Sequence, residues 1–127
     1  MFSDLHVFQT AMAMANHASL RQKLTAQNLA NADTPGFRAK KLTDFKDSFG
    51  NAARAGMIAT RDSHLGQTEQ NPLWVIEEAS TPTDPNGNSV SVELEMVNAA
   101  NIRSQHNRAL AVYRSSMNIL RTSLGRF

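Results

Sequence analysis

The sequence predicts a mainly α chain in which two long terminal helices form an antiparallel coiled-coil-like pair, with a short helix and an irregular middle region carrying two candidate strands between them. Three observations carry this. Apolar residues from Met96 onward fall on one line with alternating steps of three and four. No Gly or Pro occurs before Pro35. Between the two helical stretches, Pro, Asn and Gly gather in runs such as Pro82 to Asn88, which read only as loop. At 127 residues the chain is expected to form a single domain (1–127), divided into an N-terminal helix (1–31), a turn (32–41), a middle region (42–90) and a C-terminal helix (91–127).

The C-terminal helix is the most legible element. Met96 and Ala99 open its line, Arg103 and His106 interrupt it, and Leu110, Tyr113, Met117, Leu120, Leu124 and Phe127 complete it. Ser91 is placed to cap the helix, with Glu93 and Glu95 in the first turn where the positive end of the helix dipole favours carboxylates. After Glu95 every charged residue is an arginine: Arg103, Arg108, Arg114, Arg121 and Arg126. That order suits the dipole, and it also marks an anionic partner surface as something to test.

The N-terminal helix is expected over 4–31, capped by Ser3 or Asp4. Leu5, Phe8, Met12, Ala15, Ala26 and Leu29 share one line, Ser19 and Gln22 occupy its middle, and Leu20 and Leu24 lie about one residue off it. Such a drifting stripe fits a helix that meets different neighbours along its length. Uncharged amides recur here (Asn16, Gln22, Gln27, Asn28, Asn31) and in the last helix (Asn98, Asn101, Gln105, Asn107, Asn118); each can donate and accept, either to water or across a helix pair. Pro35 ends the helix, and Pro35-Gly36 is the natural centre of a type II turn that returns the chain through Phe37.

In the middle region, Leu42, Phe45, Phe49 and Ala52 or Ala53 are spaced for a short amphipathic helix ended by Gly56, a flap over the long helices. Residues 57–60 and 73–77 are the strand candidates, the lone Trp74 is expected to be partly buried, and Asn71-Pro72 starts a turn. Arg38, Lys40 and Lys41 make a small basic patch that reads as a solvated loop.

The run Asn28-Leu29-Ala30-Asn31-Ala32-Asp33-Thr34-Pro35-Gly36-Phe37 resembles the N-terminal signature of flagellar axial proteins, the rod and hook components. Arg38, Lys40 and Lys41 before Leu42, Asp44 and Phe45, then Thr60 to Leu65, then Asn88 to Glu93 leading into the last helix, make the chain similar to the proximal rod proteins of the flagellar basal body. Ser91 stands where an acidic cap is expected in that family, a substitution that still caps well.

The resemblance implies a structural subunit of the proximal rod, assembling through its terminal helices into the shaft that transmits motor torque. The implied interface pairs Leu5, Phe8, Met12, Leu20, Leu24 and Leu29 with Leu110, Tyr113, Met117, Leu120 and Leu124, within a subunit and between neighbours, while Asn28, Asn31, Thr34, Pro35, Gly36 and Phe37 form the family turn. Implied partners are further copies, other rod proteins, basal-body ring and export-gate components, and the flagellar type III export apparatus. The implied location is the rod in the periplasm, reached without a cleaved signal peptide. The ends of the isolated chain are expected to be mobile and to order on assembly.

Chemistry is not expected. The chain has no cysteine, no two of His6, His17, His64 and His106 have the spacing of a helical metal pair, and no phosphate-binding glycine motif occurs. Glu93 and Glu95 point apart on a helix, which suits a dipole role better than acid–base work. No catalytic, cofactor or metal site, no small-molecule substrate and no nucleic acid are therefore expected, the net charge of +2 and the lack of a stacking platform arguing against the last. The alternative from another class is a helical-hairpin adaptor or chaperone that binds a single soluble partner, and its mark would be a small complex of fixed size.

Overall fold

The structure, a computed structural model, describes residues 2–52 and 74–125, with side chains at 6–48 and 74–125. Its elements are α1 (Phe2–Ala30), β1 (Lys40–Leu42), α2 (Phe45–Ala52), β2 (Ile76–Glu78) and α3 (Val92–Ser123). The two long helices, about 43 and 48 Å at 1.5 Å per residue, lie side by side. Their direction follows from three cross-contacts: Phe8 meets Tyr113, Arg21 meets Gln105 and Asn28 meets Glu95. As one number rises the other falls, so the pair is antiparallel. The chain between them folds back on the Asn28–Glu95 end as a small head.

Local chemistry sets most of the boundaries. Ser91 is extended (φ −101°, ψ 117°) and its hydroxyl accepts from Leu94 N at 3.4 Å, so it caps α3 as expected. α1 already runs at Phe2, which places Ser3 and Asp4 inside its first turn instead of at a cap; nothing ahead of them breaks a helix. Asp44 starts α2, its carbonyl accepting from Asp47 N and Ser48 N at 3.1 Å each. Leu42, expected in that helix, is instead the buried residue of β1.

β1 and β2 pair antiparallel with Lys41 opposite Glu77. Lys40 and Lys41 are exposed, and the 3.8 Å pair of Lys41 with Glu77 is about half exposed at both ends, so it adds little. β2 overlaps the strand expected over 73–77, and Trp74 is half-buried. The strand candidate 57–60, the Asn71-Pro72 turn, the Phe49 side chain and the Gly56 helix end lie outside the described residues.

The seam between the long helices is not the apolar line that the sequence displays. On α3 the buried residues are Glu95, Ile102 and Ala109, seven apart, while Met96 on the neighbouring line is 67% exposed and Ala99 and Arg103 are exposed with it. On α1 the buried residues include Ala11, His17, Ala18, Leu24 and Asn28, whereas Met12 and Leu29 are exposed. The reason is steric and polar together. Ala11, Ala18 and Ala109 allow close backbone approach, and the polar cross-contacts lock the face they lie on. Large apolar side chains are left on the flanks of the pair.

The head closes through two glycines. Phe37 N donates to Thr34 O at 3.3 Å and Gly36 has φ +73°, the expected type II turn. Gly36 N donates in turn to Asn86 O at 3.0 Å, and a Cβ on Gly87 (φ +83°) would sit 3.3 Å from Gly36 Cα, whereas one on Gly36 would meet nothing within 4 Å. Gly36→Ala should therefore cost only the left-handed backbone term, about 1–2 kcal/mol. Gly87→Ala should cost more, because the two turns must also move apart. Urea unfolding of both variants checks the order.

Candidate functional site

The turn after α1 is held by amide chemistry. The Asn28 side chain is 1% exposed; its Nδ2 donates to Lys40 O at 2.8 Å, and its Oδ1 accepts from Lys40 N at 2.9 Å. It thus pairs with the outer edge of β1 as a neighbouring strand would. Its second N–H reaches Glu95 Oε1 at 3.0 Å. Glu95, 6% exposed, sits in the first turn of α3 with the helix dipole in its favour, and its Oε2 is buried with no hydrogen-bond partner among the described residues. One carboxamide therefore ties together the end of α1, the edge of the sheet and the start of α3.

Asn88 does the complementary task from the other side. Its Nδ2 lies 2.9, 2.6 and 2.9 Å from the carbonyls of Asn31, Ala32 and Thr34, capping the end of α1 from a distant loop. Its Oδ1 accepts from Val90 N at 2.8 Å. Ser89 continues the zip, its N donating to Phe37 O and its hydroxyl accepting from Ala39 N at 2.9 Å. Asn31 and Thr34 bond locally, to Gln27 O and to Asn31 Oδ1 respectively.

His17 fastens the middle region lower down α1. It is 1% exposed, with Phe45 and Trp74 edge-on at 5.5 and 5.6 Å. Its Nε2 lies 2.8 Å from Thr43 O; a carbonyl only accepts, so Nε2 carries the proton. Burial lowers the pKa of this imidazole, the Thr43 bond opposes that, Arg21 adds to it and Asp44 opposes it. Between head and helices, a groove of about 570 Å³ is lined by both charges, among them Arg21, Lys41, Asp44 and Glu77. Arg21 is engaged by Gln105 at 3.0 Å. No group of side chains that could hold a metal occurs among the described residues.

The residues singled out from the sequence are distributed unevenly. Leu24 is buried; Phe8, Leu20, Leu110, Met117 and Leu120 are half-buried; Met12, Leu29, Tyr113 and Leu124 are exposed, at 57, 47, 37 and 73%. Phe8 and Tyr113 meet edge to face at 5.3 Å. The Leu5 side chain lies outside the described set. In the turn, Asn28 is the buried hub, Asn31 and Phe37 are half-buried, and Thr34, Pro35 and Gly36 form the exposed tip. Sequence reasoning missed Asn88, the structural role of Glu95 and the buried His17. A signal was present for one of them: Glu95, Ile102 and Ala109 repeat every seven residues.

A family model described as flagella basal body rod protein matches residues 8–38, which carry His17, Arg21, Leu24, Asn28 and the turn. The chain is also 28% identical over 116 residues to the flagellar basal body rod protein FlgB of Agrobacterium fabrum (strain C58), covering 87% of each chain. It is 26% identical to the protein of that name from Bacillus subtilis (strain 168), covering 86% of this chain and 85% of the relative, and 27% identical to that of Proteus mirabilis (strain HI4320), covering 77% and 76%. The chain is thus similar, over a large share of its length, to flagellar basal body rod proteins. No helix among the described residues is long and apolar enough to cross a membrane.

Two outcomes follow from this geometry. Asn28→Ala strips Lys40 N, Lys40 O and Glu95 Oε1 of their partner; at about 1–3 kcal/mol for each buried group left unpaired, the loss approaches the whole stability of a small domain. Asn28→Asp keeps the acceptor but sets a second carboxylate against Glu95, so it should be at least as harmful at neutral pH. Denaturant unfolding monitored by helical circular dichroism measures both.

His17 acts on the pH dependence. Its folded pKa lies below the ordinary 6.5, so the unfolded chain takes up the proton first. Its contribution is complete above that value and is lost as pH falls through it. Stability should decline as pH falls below about 6.5, and the decline should be shallower in His17→Gln.

Proposed function

We propose that this chain is a subunit of the proximal rod that builds, through α1 and α3, the drive shaft carrying motor torque outward, located in the periplasm and delivered by the flagellar type III export apparatus without a cleaved signal. In this reading its neighbours are copies of itself, other rod proteins, and basal-body ring and export-gate components. One observation carries the reading. The long helices bury their small residues against each other and leave large apolar ones outside: Met12, Met96, Ile119 and Leu124 are each more than half exposed. A helix pair with a single partner and apolar side chains on its flanks suits lateral packing in a tube.

The candidate interface is Leu5, Phe8, Met12, Leu20, Leu24 and Leu29 with Leu110, Tyr113, Met117, Leu120 and Leu124, the exposed members facing neighbours and Leu24 holding the monomer. The two classes separate by mutation. Leu24→Ala should cost the monomer roughly 2–5 kcal/mol. Met12→Asp and Leu124→Asp should leave its unfolding unchanged, yet abolish rods in basal bodies imaged by electron microscopy and, with them, swimming. Normal motility in the aspartate variants would remove this interface. A helical adaptor would instead give a small complex of fixed size in the cell.

The free ends of the pair are expected to order fully on assembly. Hydrogen exchange on the monomer should be fast at the outer turns of both helices, beyond the Phe8–Tyr113 contact, and slow around Asn28 and Ile102. Strong protection at both ends would contradict this.

A further inference from the structure

Of the described histidines, His6 is exposed and His106 half-buried, whereas His17 is sealed at 1% exposure. It is also where three separate parts of the middle region meet α1. Thr43, between β1 and α2, accepts from its Nε2 at 2.8 Å; Phe45, at the start of α2, and Trp74, just ahead of β2, pack edge-on at 5.5 and 5.6 Å. One ring is thus the peg on which these segments hang.

Such a peg holds while it is neutral. The neutral ring has one N–H, and Thr43 O takes it. A second proton would go to Nδ1, which makes no hydrogen bond among the described residues, and neither aromatic neighbour offers an acceptor. The surrounding charges do not make up for this. Arg21, one turn along α1, repels an imidazolium, while Asp44, beside Thr43, attracts it but is exposed. On α2, Lys46 and Asp47 are exposed and of opposite sign, and on β2, Glu77 and Glu78 lie across from Lys41 and Lys40. On α3 the stretch level with His17 lies between Gln105 and Tyr113, which meet Arg21 and Phe8, and it carries His106 and Arg108 but no acid. An imidazolium here gains hydration only by leaving.

The fastening of the turn after α1 is of another kind. The bonds that Asn88 and Ser89 make to it run between amides, a hydroxyl and main-chain groups, none of which titrates near neutral pH. We propose that His17 is an acid-sensitive catch: on taking up a proton it lets go of Thr43, Phe45 and Trp74, so that the start of α2 and the approach to β2 lift off α1 while the turn stays fastened. Thr43, Asp44 and Asp47 line the groove between head and helices, so this release opens the groove. The catch is a local and reversible opening, separate from the loss of global stability that the same proton causes, and it does not depend on the rod reading.

Trp74 is the sole tryptophan, so its fluorescence reports this contact alone. The test follows emission and helical circular dichroism of the full-length chain together from about pH 7.5 to 5. Emission is expected to move to longer wavelength in a reversible one-proton transition with its midpoint below 6.5, while the helical signal is retained. His106→Gln should keep the transition and His17→Gln should abolish it. In the wild type, amide exchange at residues 43–48, corrected for its intrinsic pH dependence, should speed by up to about tenfold per pH unit, the slope of one proton, with no such change around Asn28. An emission change that coincides with loss of helix, no emission change over this range, a transition that persists in His17→Gln, or exchange that accelerates equally around Asn28 would each overturn the proposal.

Discussion

The fold depends on one side chain meeting the main chain on equal terms. A turn that brings a strand edge beside a helix end leaves peptide groups on both with no regular partner, and burying them unpaired is costly. Asn28 resolves this because a carboxamide presents the donor and acceptor of a peptide at one end of a short stem. It satisfies both backbone groups of Lys40 and still has an N–H for Glu95. An aspartate has no donor to give, a leucine has neither group, and a glutamine would place the same groups one methylene further out. Asn88 repeats the device on the carbonyls at the end of α1. The head is therefore fastened by directional bonds, and the register of α1 on α3 is set where those bonds converge.

That fastening explains why the hydrophobic pattern was a good guide to the elements and a poor guide to their faces. Periodicity found both long helices, because Pro35, Gly36 and the loop before Ser91 bound them sharply. The type II turn, the Ser91 cap, the short helix at Phe45 and a strand near residue 76 were legible in the same way, each from a local rule. What pattern reading assumes is that the largest apolar residues mark the buried side. Here the buried side carries Ala11, Ala18 and Ala109 for closeness and Asn28, Glu95, Arg21 and Gln105 for bonding, so Met12, Leu29 and Met96 turn outward. A single sequence does not reveal which of two lines about 100° apart meets the partner helix when the polar one is locked by bonds from a distant loop.

The candidate site was half visible for a related reason. Asn28 to Phe37 stands out because turn chemistry is local: Pro sets one angle, Gly accepts the next, and the asparagines lie at a helix end. Its counterpart in the loop before α3 is separated from it by more than fifty residues, and nothing local says that the Asn88 amide will find three carbonyls there. His17 is a similar case. Its ring is surrounded by Phe45 and Trp74, which approach from two parts of the middle region, so its burial is a tertiary fact with no trace in the helix that carries it.

Polar fastening and open apolar flanks are two sides of one arrangement. A subunit that relied on its large apolar residues for its own register would have none left for neighbours, and one whose seam were uniformly apolar could slide or pair in several registers. By committing hydrogen bonds and alanines to the internal seam, this chain keeps Met12, Met96, Ile119 and Leu124 free while holding one geometry. The buried, unpartnered Oε2 of Glu95 shows what this costs, since a carboxylate with one bond is tolerated only because Asn28 and the start of α3 stabilise it. In the proposed shaft, neighbours would cover the apolar flanks without disturbing the head, so that monomer folding and assembly would rest on different residues and could fail separately.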